Sequence, residues 1–185
     1  MSYLRKILSY IAGRMLLISF CAALVITCFY MALNMANIYI VITDGMEDRA
    51  SMILTRDSKT DLDNYFRSEF LAEDGTLRVA LSSSSPWTDY SITGYSYNCR
   101  ISWMWTWPWE DVATATITET VDDIAGYAVA SSQSLVNSGA ISPTPPKWQG
   151  GEYTVTLTRV DGRWRIAGLR QTRVILPPTP APTKG

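Results

Sequence analysis

Residues 15–43 read MLLISFCAALVITCFYMALNMANIYIVIT, a run without one charged side chain. A helix needs roughly 20 residues to cross a hydrocarbon core of about 30 Å. Helices inside water-soluble domains rarely sustain so long an uncharged stretch. The run therefore predicts a transmembrane anchor whose last turns emerge near Asn34 and Asn37. Arg5, Lys6 and Arg14 precede it, and Asp44, Glu47 and Asp48 follow it. Basic residues beside a span stay on the cytoplasmic side, so residues 1–14 are expected inside and residues 44–185 outside the cell membrane. A cleaved leader would have a shorter apolar core and small residues at −3 and −1 of its cleavage site. Ala36 has Asn34 and Ala32 has Tyr30 at that offset, so an uncleaved single-pass anchor is expected. Ala32 and Ala36 also form a small-xxx-small pair that lets two helices approach. The partners implied at this stage are the lipid bilayer along 15–43, and either a second copy or other envelope proteins.

The anchor leaves one domain's worth of chain, 44–175, and a tail, 176–185, carrying Pro177, Pro178, Pro180 and Pro182. Thirteen basic and seventeen acidic side chains follow residue 43, a net charge of −4. Such a surface is a poor general binder of nucleic acid, whose phosphates reward positive charge. Histidine is absent from the chain, which removes the commonest general base and the commonest metal ligand together. Of three cysteines, Cys21 and Cys28 fall within the span and only Cys99 lies outside, so the outer domain has no disulfide of its own. No spacing suggests a metal site, a phosphate-cradling glycine loop or a nucleophile elbow. No cofactor, metal or catalytic residue is expected, and the chain is read as a non-enzyme.

Local patterns place two amphipathic helices first. Met46, Ala50, Ile53 and Leu54 make one stripe, with Gly45 marking either a break from the anchor or a joint in one long helix. Leu62, Tyr65, Phe66 and Phe70 make a second stripe, with Thr60 as its N-cap and Gly75 as its stop. Thr76 to Leu81 is a strand or a further helical turn. The period then falls to two. Tyr95–Thr106 predicts a strand with Tyr97, Cys99, Ile101, Trp103 and Trp105 on one face. Asp111–Thr120 alternates Ala113, Ala115 and Ile117 with threonines, and Ile124–Val129 is a further strand or strand edge. Residues 131–151, with Pro143, Pro145 and Pro146, are a long loop, either ordered or mobile with a purpose. Tyr153, Val155 and Leu157, then Asp161-Gly162, then Trp164 and Ile166, define a closing hairpin with a tight turn. Gly168 suggests a bulge that curves the last strand.

The hairpin Tyr-x-Val-x-Leu-x-Arg-x-Asp-Gly-x-Trp-x-Ile, from Tyr153 to Ile166, follows a helix pair and an antiparallel sheet. In this order the chain resembles the NTF2-like superfamily. The resemblance implies an α+β fold, a cone of short helices packed on a curved antiparallel sheet. With an anchor in front, the chain is similar to membrane-anchored NTF2-like envelope proteins, including the VirB8-like and TcpC-like components of conjugation machines. That likeness implies a scaffold or assembly role by protein–protein contact. The alternative function is an outer module that holds a small apolar ligand or peptide in an aromatic cavity.

Candidate contact residues are Trp87, Trp105, Trp107, Trp109, Trp148, Arg163 and Arg165. Trp103, Trp105, Trp107 and Trp109 recur at every second position. They form either a surface for ligand, partner or membrane interface, or a packed set in which the first two fill the core and the last two cap a turn. Trp87 and Trp148 fall in loops and are expected to be more exposed than Trp103. Arg163 and Arg165 oppose Trp164 and Ile166 across the strand, as a basic stripe for an acidic partner or anionic lipid, or as a solvated face. An enzyme reading would rest on Asp89, Glu119 or Asp122 in a cavity with Tyr95 or Tyr97 as donor.

Overall fold

The computed structural model of the chain describes residues 2–56 and 61–176. One helix, α1 (Ser2–Thr55), opens the fold. A 3-10 turn (Leu62–Asn64), α2 (Ser68–Glu73) and α3 (Gly75–Leu81) follow. Four strands complete it: β1 (Tyr90–Trp105), β2 (Val112–Ala128), β3 (Gly150–Val160) and β4 (Arg163–Ile175). A short turn and α4 (Gln133–Asn137) lie between β2 and β3. The strands form one open antiparallel meander in the order β1-β2-β3-β4. The architecture is thus α+β, a long apolar N-terminal helix with an open four-stranded sheet.

α1 is long and apolar enough to cross a membrane, and its most apolar stretch buries none of its residues. Packing begins at Asn34. From there Ile38, Ile42, Met46, Ala50 and Ile53 recur on one face and are fully buried or nearly so. Each is three or four residues from the next, the spacing of a single helical stripe. The stripe belongs to the same core as Ala113, Ala115, Ile117, Val155, Leu157 and Ile166 from β2, β3 and β4. The apolar N-terminal stretch and the core spine are therefore one helix.

Gly45 does not break that helix. A Cβ added there would sit 2.7 Å from the Tyr65 Cβ and 3.5 Å from the Ile166 Cδ1. The glycine lets the 65–67 segment lie directly on α1. This contact also explains why residues 61–73 are not the one helix that their stripe suggests. Phe66 bridges Ile166 in parallel, with the Arg67 amide donating to the Ile166 carbonyl at 2.9 Å and the Ile166 amide to the Tyr65 carbonyl at 2.7 Å. The chain leaves the helix to shield part of the β4 edge, an edge that otherwise presents unpaired backbone. Leu62 and Phe66 still enter the core, as their stripe implies. The proposed N-cap Thr60 and the prolines of the tail lie outside the described residues. Gly75 is not a stop: Asp74 accepts from the Thr76 and Leu77 amides at 3.0 and 3.1 Å and starts α3, so 76–81 is helical.

The closing hairpin has the expected turn. Asp161 and Gly162 both take positive φ, 50° and 76°, the condition for the tight turn that Asp-Gly favours. Gly168 adjoins a register shift, with Thr156 opposite Gly168 and Leu157 opposite Ile166, which leaves Ala167 as the extra residue. β2 runs unbroken through both segments that read separately, and Asp123 at φ 52° takes up an irregularity against β1. The long 131–149 segment is ordered against the sheet. The Tyr90 hydroxyl donates to the Ser142 carbonyl at 2.9 Å, and the Trp87 Nε1 to the Pro146 carbonyl at 3.3 Å.

The close approach at Gly45 gives a test with a defined sign. Gly45→Ala adds about 1 kcal/mol of helix propensity, but overpacking against Tyr65 costs typically 1–3 kcal/mol. The expected result is a net loss of stability in a chemical-denaturation series, where an exposed helical glycine would show a gain.

Candidate functional site

The site grows from α1, whose Arg49 is buried at the level of α3. Its Nε donates to the Asp74 Oδ2 at 2.8 Å and its Nη2 to the Oδ1 at 3.2 Å. Both side chains are almost fully buried. Burial alone would raise the Asp74 pKa. The two bonds and charge from Arg49, with the Thr76 and Leu77 amides, overcome it and hold the carboxyl below its ordinary value. Burial works against the Arg49 charge too, and Asp74 outweighs it. The pair therefore remains ionic, and stranding either partner costs roughly 3–5 kcal/mol.

Around this pair lies a cavity of about 760 Å³. Ile53, Phe70, Val79 and Leu169 give it an apolar wall, Trp87 and Trp148 an aromatic one, and Tyr153 and Gln171 polar groups. Volume and lining match those of sites for small organic ligands. Trp87 and Trp148 stack with centroids 5.5 Å apart and planes 30° apart. Trp148 is buried and Trp87 half-buried, which corrects the expectation that these loop tryptophans are the exposed ones. The reason is the ordered 140–149 segment, which carries Trp148 back onto Trp87. The Trp148 indole Nε1 is buried and has no hydrogen-bond partner among the described residues.

Glu119 on β2 lies beneath this region, wholly buried. The Tyr97 hydroxyl donates to its Oε1 at 3.4 Å, and its Oε2 has no partner. Burial pushes its pKa up to about 7, against the pull of the Arg49 charge and the Tyr97 bond. Burial and the Glu119 charge push the Tyr153 hydroxyl up to about 12, and burial pushes the Cys99 thiol up to about 11. Of the other acids in the enzyme reading, Asp89 accepts from the Ser132 hydroxyl at 2.5 Å and Asp122 is exposed. The structure does not gather the three into one site. Among the described residues no three His, Cys, Asp or Glu side chains cluster as a metal site.

The remaining tryptophans occupy a different place. Trp103, Trp105, Trp107 and Trp109 are all exposed. They do not share the Tyr97–Cys99–Ile101 face. Ile101 pairs with Ile117 and Trp103 with Thr116, so Ser102 is an extra residue in β1. Because strand side chains alternate, that one residue moves Trp103 and Trp105 to the threonine-lined outer face and turns Met104 inward. Neither indole fills the core. Trp105 meets Trp107 edge-on at 5.3 Å, and Trp107 stacks on Trp109 at 5.3 Å. Arg163 is exposed and Arg165 half-buried, and neither reaches the cavity.

Comparison with protein-family models, with curated proteins and with solved structures returns no match. The site is therefore argued from its own geometry. Sequence singled out Trp87 and Trp148 but missed Arg49, Asp74 and Tyr153. Arg49 on the buried stripe of α1 was the available signal, since a charge there must find a partner.

Glu119 makes stability depend on pH. Its folded pKa, about 7, lies above the ordinary 4.5. The stabilising effect of the buried acid is complete below about 4.5 and is lost as pH rises through 7, a span on the order of 3 kcal/mol. Unfolding midpoints should fall from pH 5 to pH 8 in the native chain, and Glu119→Gln should flatten that slope.

Proposed function

We propose that the chain is a single-pass membrane protein whose outer domain works by binding, with the cavity beside Arg49 and Asp74 as its receptor site. The observation that carries this reading is the cavity's make-up: an aliphatic wall and two stacked indoles beside a buried, hydrogen-bonded ion pair. A short apolar peptide segment or small apolar ligand satisfies this lining. The basic residues before the anchor and the acidic ones after it support a cytoplasmic N-terminus and an extracytoplasmic domain. The likeness to the NTF2-like superfamily belongs to the same reading, supported by helices packed on one face of a sheet bent by bulges. Binding is favoured over catalysis because Glu119, the carboxyl with the strongly raised pKa, is sealed from solvent and does not line the cavity.

A second reading keeps the domain as an assembly part of a conjugation or other envelope machine, or as a homo-oligomer. β1 is an edge strand of 16 residues, open to strand addition, and Ala32 and Ala36 are exposed on α1. A strictly monomeric mass in nanodiscs at micromolar concentration would count against the homo-oligomer.

Val79 lines the cavity and is half exposed, so Val79→Trp should fill the space without disturbing the core. Calorimetric titration of the full chain in nanodiscs with a panel of short apolar peptides is expected to give saturable heat. Val79→Trp should weaken it at least about tenfold, an affinity change of roughly 1.4 kcal/mol. Absence of heat across the panel, or equal affinity in the variant, would argue against a receptor role.

A further inference from the structure

The exposed indoles have a position that the cavity does not explain. The uncharged run begins at Met15, and residues 15–34 rise about 30 Å as a helix, the thickness of a hydrocarbon core. Asn34, at the end of that rise, is also where α1 first becomes buried against the domain. The Arg159 Nη2 donates to the Asn34 Oδ1 at 3.2 Å. The same residue stacks over Trp164 at 4.6 Å, its Nη1 lies 3.7 Å from the Asp111 Oδ1, and its amide donates to the Asp111 carbonyl at 2.8 Å. Asp111 ends the β1–β2 connection that carries Trp107 and Trp109. That connection is thus fixed, through one arginine, to the point where α1 leaves the hydrocarbon. The cavity lies towards the other end: Arg49 is about 22 Å further along α1 than Asn34.

The connection is rigid as well as placed. Thr106 is buried, and its hydroxyl lies 3.2 Å from both the Trp107 and the Val112 carbonyls. The Glu110 amide donates to the Trp107 carbonyl at 3.1 Å. Trp109, 71% exposed, is the most open indole of the stack. Charge at this end is mixed: Arg159, Arg163 and Arg165 are set against Glu110, Asp111 and Asp161. Electrostatic attraction to anionic headgroups is therefore weak, whereas an indole with an apolar body and a polar N–H suits the headgroup region itself.

We infer that Trp105, Trp107 and Trp109 form a second membrane contact, seated in the interface of the leaflet from which α1 emerges. The contact sets the tilt of the domain on the bilayer and holds the cavity away from it. It rests on α1 being a membrane span, as in the proposed function, but not on the cavity being a receptor.

The test is tryptophan fluorescence of the full chain in zwitterionic vesicles containing lipids brominated along the acyl chain. α1 has no tryptophan, so quenching reports the outer domain alone. Brominated lipid should quench the native chain, with little change on adding anionic lipid or salt. Trp107→Phe with Trp109→Phe should remove about half or more of the quenching, leaving Trp87 and Trp148 emitting as the shielded control. Equal thermal midpoints establish that this variant is folded, and Trp109→Phe alone serves if they differ. Quenching unchanged in the variant, or absent in an inserted chain, would overturn this contact and leave the receptor proposal standing. A chain released from vesicles at alkaline pH would overturn this contact and the membrane span on which it rests.

Discussion

One unbroken helix joins a long exposed apolar stretch to the packed core of the domain. From Met15 to Leu33 every face of α1 is apolar and nearly all of it exposed, as a membrane span would be. From Asn34 onward one face is packed and the other carries Asp44 and Glu47. No linker separates these regimes, so the domain cannot move freely on the apolar stretch. Whatever orients the helix orients the sheet, because Ile38, Ile42 and Met46 are as much part of the core as Ile117 or Leu157.

That constraint gives the sheet two unlike ends. Its near end, where β1 meets β2 and β3 meets β4, is tied to Asn34 through Arg159. Its far end gathers α3, Trp87 and the 140–149 segment around the Arg49–Asp74 pair. Arg49 stands on α1 and Asp74 starts α3, so the ion pair links the spine to the wall of the cavity. Buried pairs of this kind seldom add much stability over an apolar substitute. Their geometric demand is stricter: two parallel hydrogen bonds fix where α3 begins, and with it the position of Val79 and Ala80.

Features set by neighbouring residues were legible in the sequence. The charge-free run, the alternation of β2 and β3, the Asp-Gly turn and the bulge beside Gly168 all depend on side chains within a few positions of each other. Features set by distant contacts were not. Nothing near Phe66 announces that Ile166 will draw it out of a helix. Ser102 is an ordinary strand residue by composition, yet its insertion sends Trp103 and Trp105 outward and leaves the core to smaller side chains. Trp87 and Trp148 meet across 61 positions of chain, and the loop between them had no periodicity from which to infer it. Gly45 and Gly75 were visible as glycines, but their roles, a close approach and the first residue of a helix, follow from Tyr65 and Asp74.

If α1 spans a membrane as proposed, it runs without a break from lipid into the folded core. Spin labels placed singly from position 16 to position 50, in a background without native cysteine and in nanodiscs, measure it directly. Collisions with oxygen and with a water-soluble nickel chelate should show lipid on every face up to about residue 33. Beyond that a helical alternation of buried and water-exposed positions should pass through Gly45 without a break. Water access on all faces of residues 16–32, or a lost helical period at Gly45, would contradict the account.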